Sequence, residues 1–553
     1  MTNRTDLVRS RTMTGGDAIV GALLRGGVDT VFALPGVQIY GLVDALARAG
    51  DAVRVLSPRH EQAAAYMALG YARATGRSGV YAVVPGPGML NSAAGLSAAY
   101  AGSTPLVCLT GQVPSRFLDA GLGHLHEMPD QLATMRTLTK WAARIDGPAD
   151  APALVAEALR RASGGRPLPV ALEMAWEVFD QRADVDFPEP IAPEPAPTPD
   201  DKALERAAEA LAAARNPMLM VGSGAFGAAA EVLELAERLQ APVVSYRSGR
   251  GIVPGDHYLG FTCAEGFERW HETDVLVGIG SRLELLWYRW PDRPDDLTII
   301  DVNLDAEHAG RVGAAVPLVG DAAPTTAALL RLLGDVRRPS RRAEFDALKA
   351  AVQREIRRRA PHAGHLAAIR EVLPRDGFFV DEMCQAGFAS CYAFPVHEPR
   401  TFVSFGGFGA LGQGYPTALG VQAAHPDRPV VSISGDGGFQ FALQELATAM
   451  QYGLNVVAVV FDNQAYGNVL RDQENGYGGR VLGARLRNPD FVALARSYDM
   501  PAERARGPAE LAAALDRALA RREPALIVVP VDAHREPSPW PFIQPPPRAG
   551  RPT

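Results

Sequence analysis

Short runs of β-branched and aliphatic residues alternate along this chain with longer stretches rich in alanine and leucine. The runs at 79–84, 106–110, 218–221, 275–279, 299–302 and 456–461 are predominantly apolar and too short for helices, as expected of strands buried on both faces. With helical patterns between them, they predict parallel α/β sheets. The clearest unit spans 431–463. An apolar run at 431–434 predicts a strand, and 439–452 reads as one helix with Phe441, Leu443, Leu446 and Met450 on a single face. A second strand is expected over 454–461.

Two breaks interrupt the alternation. Residues 186–200 are proline-rich and acidic, cannot hold a helix, and read as an extended linker. Residues 334–342 form a shorter polar break. They divide the chain into 1–187, 200–335 and 345–535, with a proline-rich tail over 536–553, giving three consecutive doubly wound α/β domains.

Composition narrows the function classes. The 553 residues are 47% hydrophobic and 21% charged, with a formal net charge of −7. No basic stripe is present, and an acidic protein is repelled by phosphate backbones, so nucleic acid is not an expected partner. Apolar stretches stop short of the ~20 residues that a membrane span needs. The N-terminal residues carry charges but no apolar signal core. Four scattered cysteines, Cys108, Cys263, Cys384 and Cys391, form no C-x-x-C pair and suit a reducing cytoplasm.

The candidate chemistry lies at the predicted strand ends. Gly435, Asp436, Gly437 and Gly438 form a strand-to-helix turn where a diphosphate can approach the backbone. The following strand delivers Asp462 and Asn463. Asp436 and Asn463 are hard oxygen ligands of the type Mg²⁺ takes when it also binds phosphates. In the first segment, Glu61 opens an alanine-rich helix after a strand over 53–56, a position that by itself also suits a glutamate interacting with the helix dipole.

The Asp436-to-Asn463 spacing in its strand-helix-strand setting resembles the diphosphate-and-metal motif of thiamine diphosphate (ThDP) enzymes. Three α/β domains in this order resemble the pyrimidine-binding, central and diphosphate-binding domains of the decarboxylase and acetolactate synthase superfamily, over almost the whole chain. The resemblance implies ThDP and Mg²⁺ as cofactors, with Glu61 supplying the proton at N1′ of the aminopyrimidine. It also implies a homodimer or homotetramer whose sites pair the first domain of one chain with the third of another.

Residue by residue, the resemblance implies a first-domain turn at Pro35 and Gly36 and a Gly-Pro-Gly loop with Pro87 and Asn91 near the pyrimidine. Gln112 matches an active-site amide of acetolactate synthases. Gly409 and Leu411, in the loop 406–412, match the support beneath the bent cofactor, and Gln385 matches a glutamine near the diphosphate. Ala465 is expected to give a backbone carbonyl to the metal beside Asp436 and Asn463. Tyr466, Gly467, Asn468 and Val469 are expected to line the diphosphate and thiazolium. His126, with Leu125, falls where relatives carry a Phe-Gln pair. Two readings of it stay open, facing substrate or sitting in a surface loop.

Two features set this chain apart from the housekeeping synthase. Gly222, Gly224 and Gly227 satisfy G-x-G-x-x-G, but the segment 243–248 lacks the acidic residue that would hold a dinucleotide ribose, which speaks against NAD. FAD stays possible because acetolactate synthases bind it in this domain, yet the region 260–265 lacks their Met-His-Gly-like segment, so FAD is not favoured. Trp176, Asn468 and Asp472 stand where the synthase has lysine, methionine and tryptophan. Cofactor chemistry is therefore expected to carry over, and the identity of the second carbonyl is not. The tandem histidines of simple pyruvate decarboxylases are absent from the first domain. The expected reaction is decarboxylation of a 2-oxo acid such as pyruvate with transfer to a second carbonyl compound; the alternative is a decarboxylase or lyase that releases an aldehyde.

Overall fold

The computed structural model describes residues 12–189, 195–360, 362–404 and 407–547. Part of the expected linker (190–194), the end of the tail (548–553) and Gly406 lie outside them. Three six-stranded sheets, each wholly parallel among its neighbours, follow one another along the chain. The first runs in the order Arg54–Leu56, Thr30–Ala33, Gly79–Val83, Leu106–Gln112, Val170–Ala175, Trp141–Ile145. The second is centred on Pro217–Val221 and Val275–Ile279. The third is centred on Val430–Gly435 and Val456–Asp462, paired with Gly435 opposite Phe461. The expected α/β class holds because the strands are Val- and Ile-rich and buried on both faces.

Contacts gather the chain into two compact units. One comprises Met1–Pro195, Gly407–Pro426 and Ala442–Asn455; the other comprises Ala196–Gly406, Asp427–Phe441 and Val456–Thr553. In the first unit, the helix Glu61–Thr75 packs along the helix Gly414–Ala424. Glycines make this approach possible. A Cβ at Gly70 would lie 2.0 Å from the carbonyl oxygen of Thr417, and one at Gly420 would lie 1.9 Å from that of Met67. The entry to the Glu61 helix is fixed as well: both carboxylate oxygens of Glu445, which is fully buried, accept from the backbone N–H of Arg59 at 3.0 and 3.1 Å.

One helix differs from expectation. Residues 439–452 do not form a single helix but a short turn Asp436–Phe439, a 3₁₀ turn Leu443–Glu445 and a helix Leu446–Tyr452. The backbone leaves the helical region at Ala442, with φ −134°. Phe441, expected on the buried face, is 50% exposed. The buried carboxylate of Glu445 is committed to Arg59 and Thr448 rather than to a solvent-facing helical position.

Candidate active site

In the first unit the strand ends bring several of the expected residues together. Gly36 follows the strand Thr30–Ala33 and sits so close to Val84 that a Cβ would lie 2.3 Å from its Cγ1. Gly86, with φ +60°, turns the chain into the helix Pro87–Ala101, which has Pro87 at its start. That helix presents Asn91, whose Nδ2 donates to Oε2 of Glu61 at 3.1 Å. A Cβ at Gly88 would lie 2.7 Å from Cγ2 of Val84 and in ordinary contact, at 3.5 Å, with Oε1 of Glu61.

His126 is drawn to the same place. Its backbone, at φ +66°, passes so near Gly86 that a Cβ there would lie 2.6 Å from the His126 carbonyl oxygen. Its Nδ1 is buried without a hydrogen-bond partner. Burial holds the imidazole below its usual range, with the Glu61 charge opposing that shift. His124 stacks on Phe117 with ring centroids 4.7 Å apart.

Gln112 is buried, and both ends of its amide are engaged. Its Nε2 donates to Glu173 at 3.2 Å and its Oε1 accepts from the backbone of Val113 at 2.7 Å. The fully buried Glu173 also accepts from Gln131 at 2.9 Å and from Arg144 at 2.7 Å, and Gln131 in turn accepts from the backbone N–H of Gly86 at 2.9 Å. Gln112 thus stands at one end of a buried polar network that supports the Gly86 turn. Glu173, Gln131 and Gln38, which donates to the Leu125 carbonyl at 2.7 Å, carry no motif signal and were invisible to sequence reading. Trp176 begins a 3₁₀ turn directly after the strand Val170–Ala175 and is partly exposed.

In the second unit, adjacent strands place Gly435 and Asp436 beside Asp462 and Asn463. The glycines give room to neighbours: a Cβ at Gly437 would lie 2.5 Å from the Tyr466 ring, and one at Gly438 would lie 2.2 Å from Oε1 of Glu382. Asp436 is almost fully buried, and burial pushes its carboxyl up to about 6, with the neighbouring Asp462 charge adding to the rise. Asn488 bridges the two acids, its Nδ2 donating to Asp436 at 2.6 Å and to Asp462 at 2.7 Å. The Asn-Pro pair at 488–489 reads in sequence as a turn, which hides this role.

Asn463 accepts through Oδ1 from the N–H of Ala465 at 3.0 Å and donates through Nδ2 to Glu536 at 2.5 Å. Asn468 donates to Asp472 at 3.0 Å and receives Arg471 and the Trp540 indole N–H at its oxygen. With its amide oxygen turned inward, Gln385 accepts from the backbone N–H of Asn468 at 3.2 Å and from Arg471 at 2.9 Å. Val469 is 47% exposed. Gly409 and Leu411 belong to the first unit, directly before the helix Gly414–Ala424, with Gly409 at φ +78°.

The donor set at Asp436, Asn463 and Ala465 fits a hard divalent cation, which would relieve both the desolvation of Asp436 and its repulsion by Asp462. Among the described residues no group of three His, Cys, Asp or Glu side chains gathers to hold a metal, so amide and carbonyl oxygens are needed to complete such a site. In the central domain, Gly222 and Gly224 of the G-x-G-x-x-G run pack closely against Gly280, whereas a Cβ at Gly227 would meet nothing within 4 Å. A Cβ at Gly222 would lie 2.3 Å from the Gly280 carbonyl oxygen. The cavity beside this turn, between Val221, Tyr246, Arg247 and Ser281, measures about 50 Å³. Small-molecule pockets are usually ~300–1,000 Å³. No helix among the described residues is long and apolar enough to cross a membrane.

Three domain families match the chain: the N-terminal TPP binding domain of thiamine pyrophosphate enzymes over residues 13–134, their central domain over 204–329, and their C-terminal TPP binding domain over 383–529. The chain therefore belongs to the thiamine pyrophosphate enzyme family, with acetolactate synthase large subunits among its relatives. It is 36% identical to a probable 2-ketoarginine decarboxylase of Pseudomonas aeruginosa, over 88% of this chain and 89% of that protein. It is 32% identical to a probable acetolactate synthase large subunit of Methanocaldococcus jannaschii (94% and 92%) and 32% identical to the acetolactate synthase isozyme 3 large subunit of Escherichia coli (92% and 92%).

Proposed function

We propose that this protein is a ThDP- and Mg²⁺-dependent enzyme that decarboxylates a 2-oxo acid and transfers the acyl unit to a second carbonyl compound. ThDP supplies a carbon nucleophile for attack on the 2-oxo group. Glu61, held by Asn91 at 3.1 Å, would keep a proton at N1′ of the pyrimidine. Asp436, Asn463 and the Ala465 carbonyl would hold the cation, and Tyr466, Gly467, Asn468 and Val469 would line the cofactor. What supports ligation over release is the absence from the first domain of the tandem histidines of simple pyruvate decarboxylases, which leaves no such proton donor to protonate a carbanion and release aldehyde. The working unit in this reading is a homo-oligomer in the cytoplasm.

A second reading is a decarboxylase that releases an aldehyde. It is favoured by the likeness to a probable 2-ketoarginine decarboxylase and by the polar Asn468–Asp472 pair, which changes the substrates that can be desolvated nearby. Product analysis separates the two. The enzyme is incubated with pyruvate alone, with pyruvate plus an aldehyde panel, and with 2-ketoarginine. Acetolactate, acetoin or mixed 2-hydroxy ketones support ligation; an aldehyde as the dominant product with acceptors present moves the protein to the decarboxylase class.

A further inference from the structure

The C-terminal segment beyond residue 530 lies past the matched family domain, yet it reaches both amides of the proposed cofactor edge. Glu536 is almost fully buried. One of its oxygens accepts from Asn463 Nδ2 at 2.5 Å, and the other is 2.7 Å from Nε2 of the buried His362. Four residues on, the Trp540 indole donates to Asn468 Oδ1 at 3.3 Å. The segment is anchored as it passes. Trp540 packs on Phe388 with centroids 5.0 Å apart, Phe542 packs on Tyr392 at 4.9 Å, and Ile543 is fully buried.

Chemistry gives the Glu536 contact a direction. A carboxylate only accepts, so it fixes which end of the Asn463 amide is nitrogen and leaves the oxygen on the side of Ala465. Gly467 keeps the contact open: a Cβ there would lie 2.7 Å from Asn463 Nδ2 and 3.3 Å from Glu536 Oε2. A carboxylate acceptor on an amide is also among the stronger hydrogen bonds available.

We propose that the C-terminal segment is a positioning strap for the cation site, in which Glu536, steadied by His362, presents the Asn463 oxygen to the metal. The inference rests on the reading of Asp436 and Asn463 as metal ligands. Glu536 is a positioning residue and touches neither cofactor nor substrate. The strap makes cofactor retention depend on a segment outside the family's matched domains.

The test measures Mg²⁺ binding by quenching of intrinsic tryptophan fluorescence on the full-length protein at fixed, saturating ThDP. Asparagine and aspartate are both good magnesium ligands, so a free-standing side chain at 463 would tolerate Asn463→Asp. Under the strap, that variant sets a second carboxylate against Glu536, and the magnesium requirement rises at least about tenfold. Adding Glu536→Gln in the same chain restores it, because the new amide can donate where Asn463 did. Asn463→Asp binding like the parent, or a double variant no better than Asn463→Asp alone, overturns the proposal. Should Asn463→Asp fail to fold, Glu536→Ala serves instead: it raises the magnesium requirement by a similar factor, and an unchanged requirement overturns the strap. Asp436→Ala is the control for the underlying reading. If it binds Mg²⁺ and ThDP as the parent does, the cation site itself lies elsewhere.

Discussion

Asn91 and Glu61 meet through a single hydrogen bond of 3.1 Å that occupies Oε2 and leaves Oε1 facing the bare Cα of Gly88. One oxygen is thereby oriented, and in the proposed role the other would receive the ring nitrogen. Glu61→Gln should lower turnover by about 10²-fold or more, the usual worth of a positioned acid–base group, while ThDP and Mg²⁺ still bind. Deuterium exchange at the thiazolium C2, followed by NMR, checks the assignment. Parent-like exchange in the variant would remove Glu61 from the activating role.

Asn488 donates to two carboxylates with one nitrogen, so Asn488→Leu leaves Asp436 and Asp462 facing each other with no shared donor. The apoprotein should lose about 1–3 kcal/mol, the cost of stranding buried polar groups. Adding Mg²⁺ with ThDP should then stabilise the variant more than the parent, because the cation replaces the missing positive edge. Thermal melts with and without the ligands test this. Equal ligand-induced shifts in the two proteins would place the cation away from this pair.

Asp381 lies at the end of the strand Phe378–Val380, where burial pushes its carboxyl up to about 7. Ser390 is 3.3 Å from its Oδ2. A raised carboxyl means that the folded protein keeps a proton the unfolded chain has lost between about 3.8 and 7, so stability falls as pH rises through that window. Above it the penalty is on the order of 4 kcal/mol, at ~1.36 kcal/mol per unit. Asp381→Asn should remove this loss. The gap in melting temperature between variant and parent should be small at pH 4, widen toward pH 7 in favour of the variant, and stay level beyond. A gap independent of pH would show that Asp381 is ionised in the fold.

Gly70→Ala and Gly420→Ala each push a methyl carbon into a backbone carbonyl, where no side-chain rotamer can relieve the clash. Each should destabilise by at least about 1–3 kcal/mol, the usual cost of overpacking. Urea unfolding measures it. An alanine at either position that melts with the parent would mean that the two helices can separate at little cost.

The strands were legible in the sequence because they are buried on both faces and bounded by turn residues. The glycine-lined turn at 435–438 was legible because its spacing to Asn463 is set by one strand-helix-strand unit. The break at Ala442 was hidden, since the apolar spacing of Phe441, Leu443, Leu446 and Met450 satisfies a helix as well as it satisfies three pieces. Long-range polar partners were hidden too. Glu173 reads as one residue of an apolar strand, and Glu536 as a charge among prolines, because a hydrogen bond between residues far apart in the chain leaves no local period. Gln112 was visible as a motif, but not its saturation by Glu173 and Val113.

The glycine-lined crossing of the helices Glu61–Thr75 and Gly414–Ala424 has a consequence for the order of synthesis. The ribosome releases the Glu61 helix long before the helix that covers it, with the whole central domain produced in between. Domains generally fold as they emerge, but here the first sheet must wait with the Gly70 face of its helix open to solvent. A nascent chain stalled after residue 400 should hold that face exposed and be a client for chaperones, whereas one extended past the helix Leu446–Tyr452 should release them.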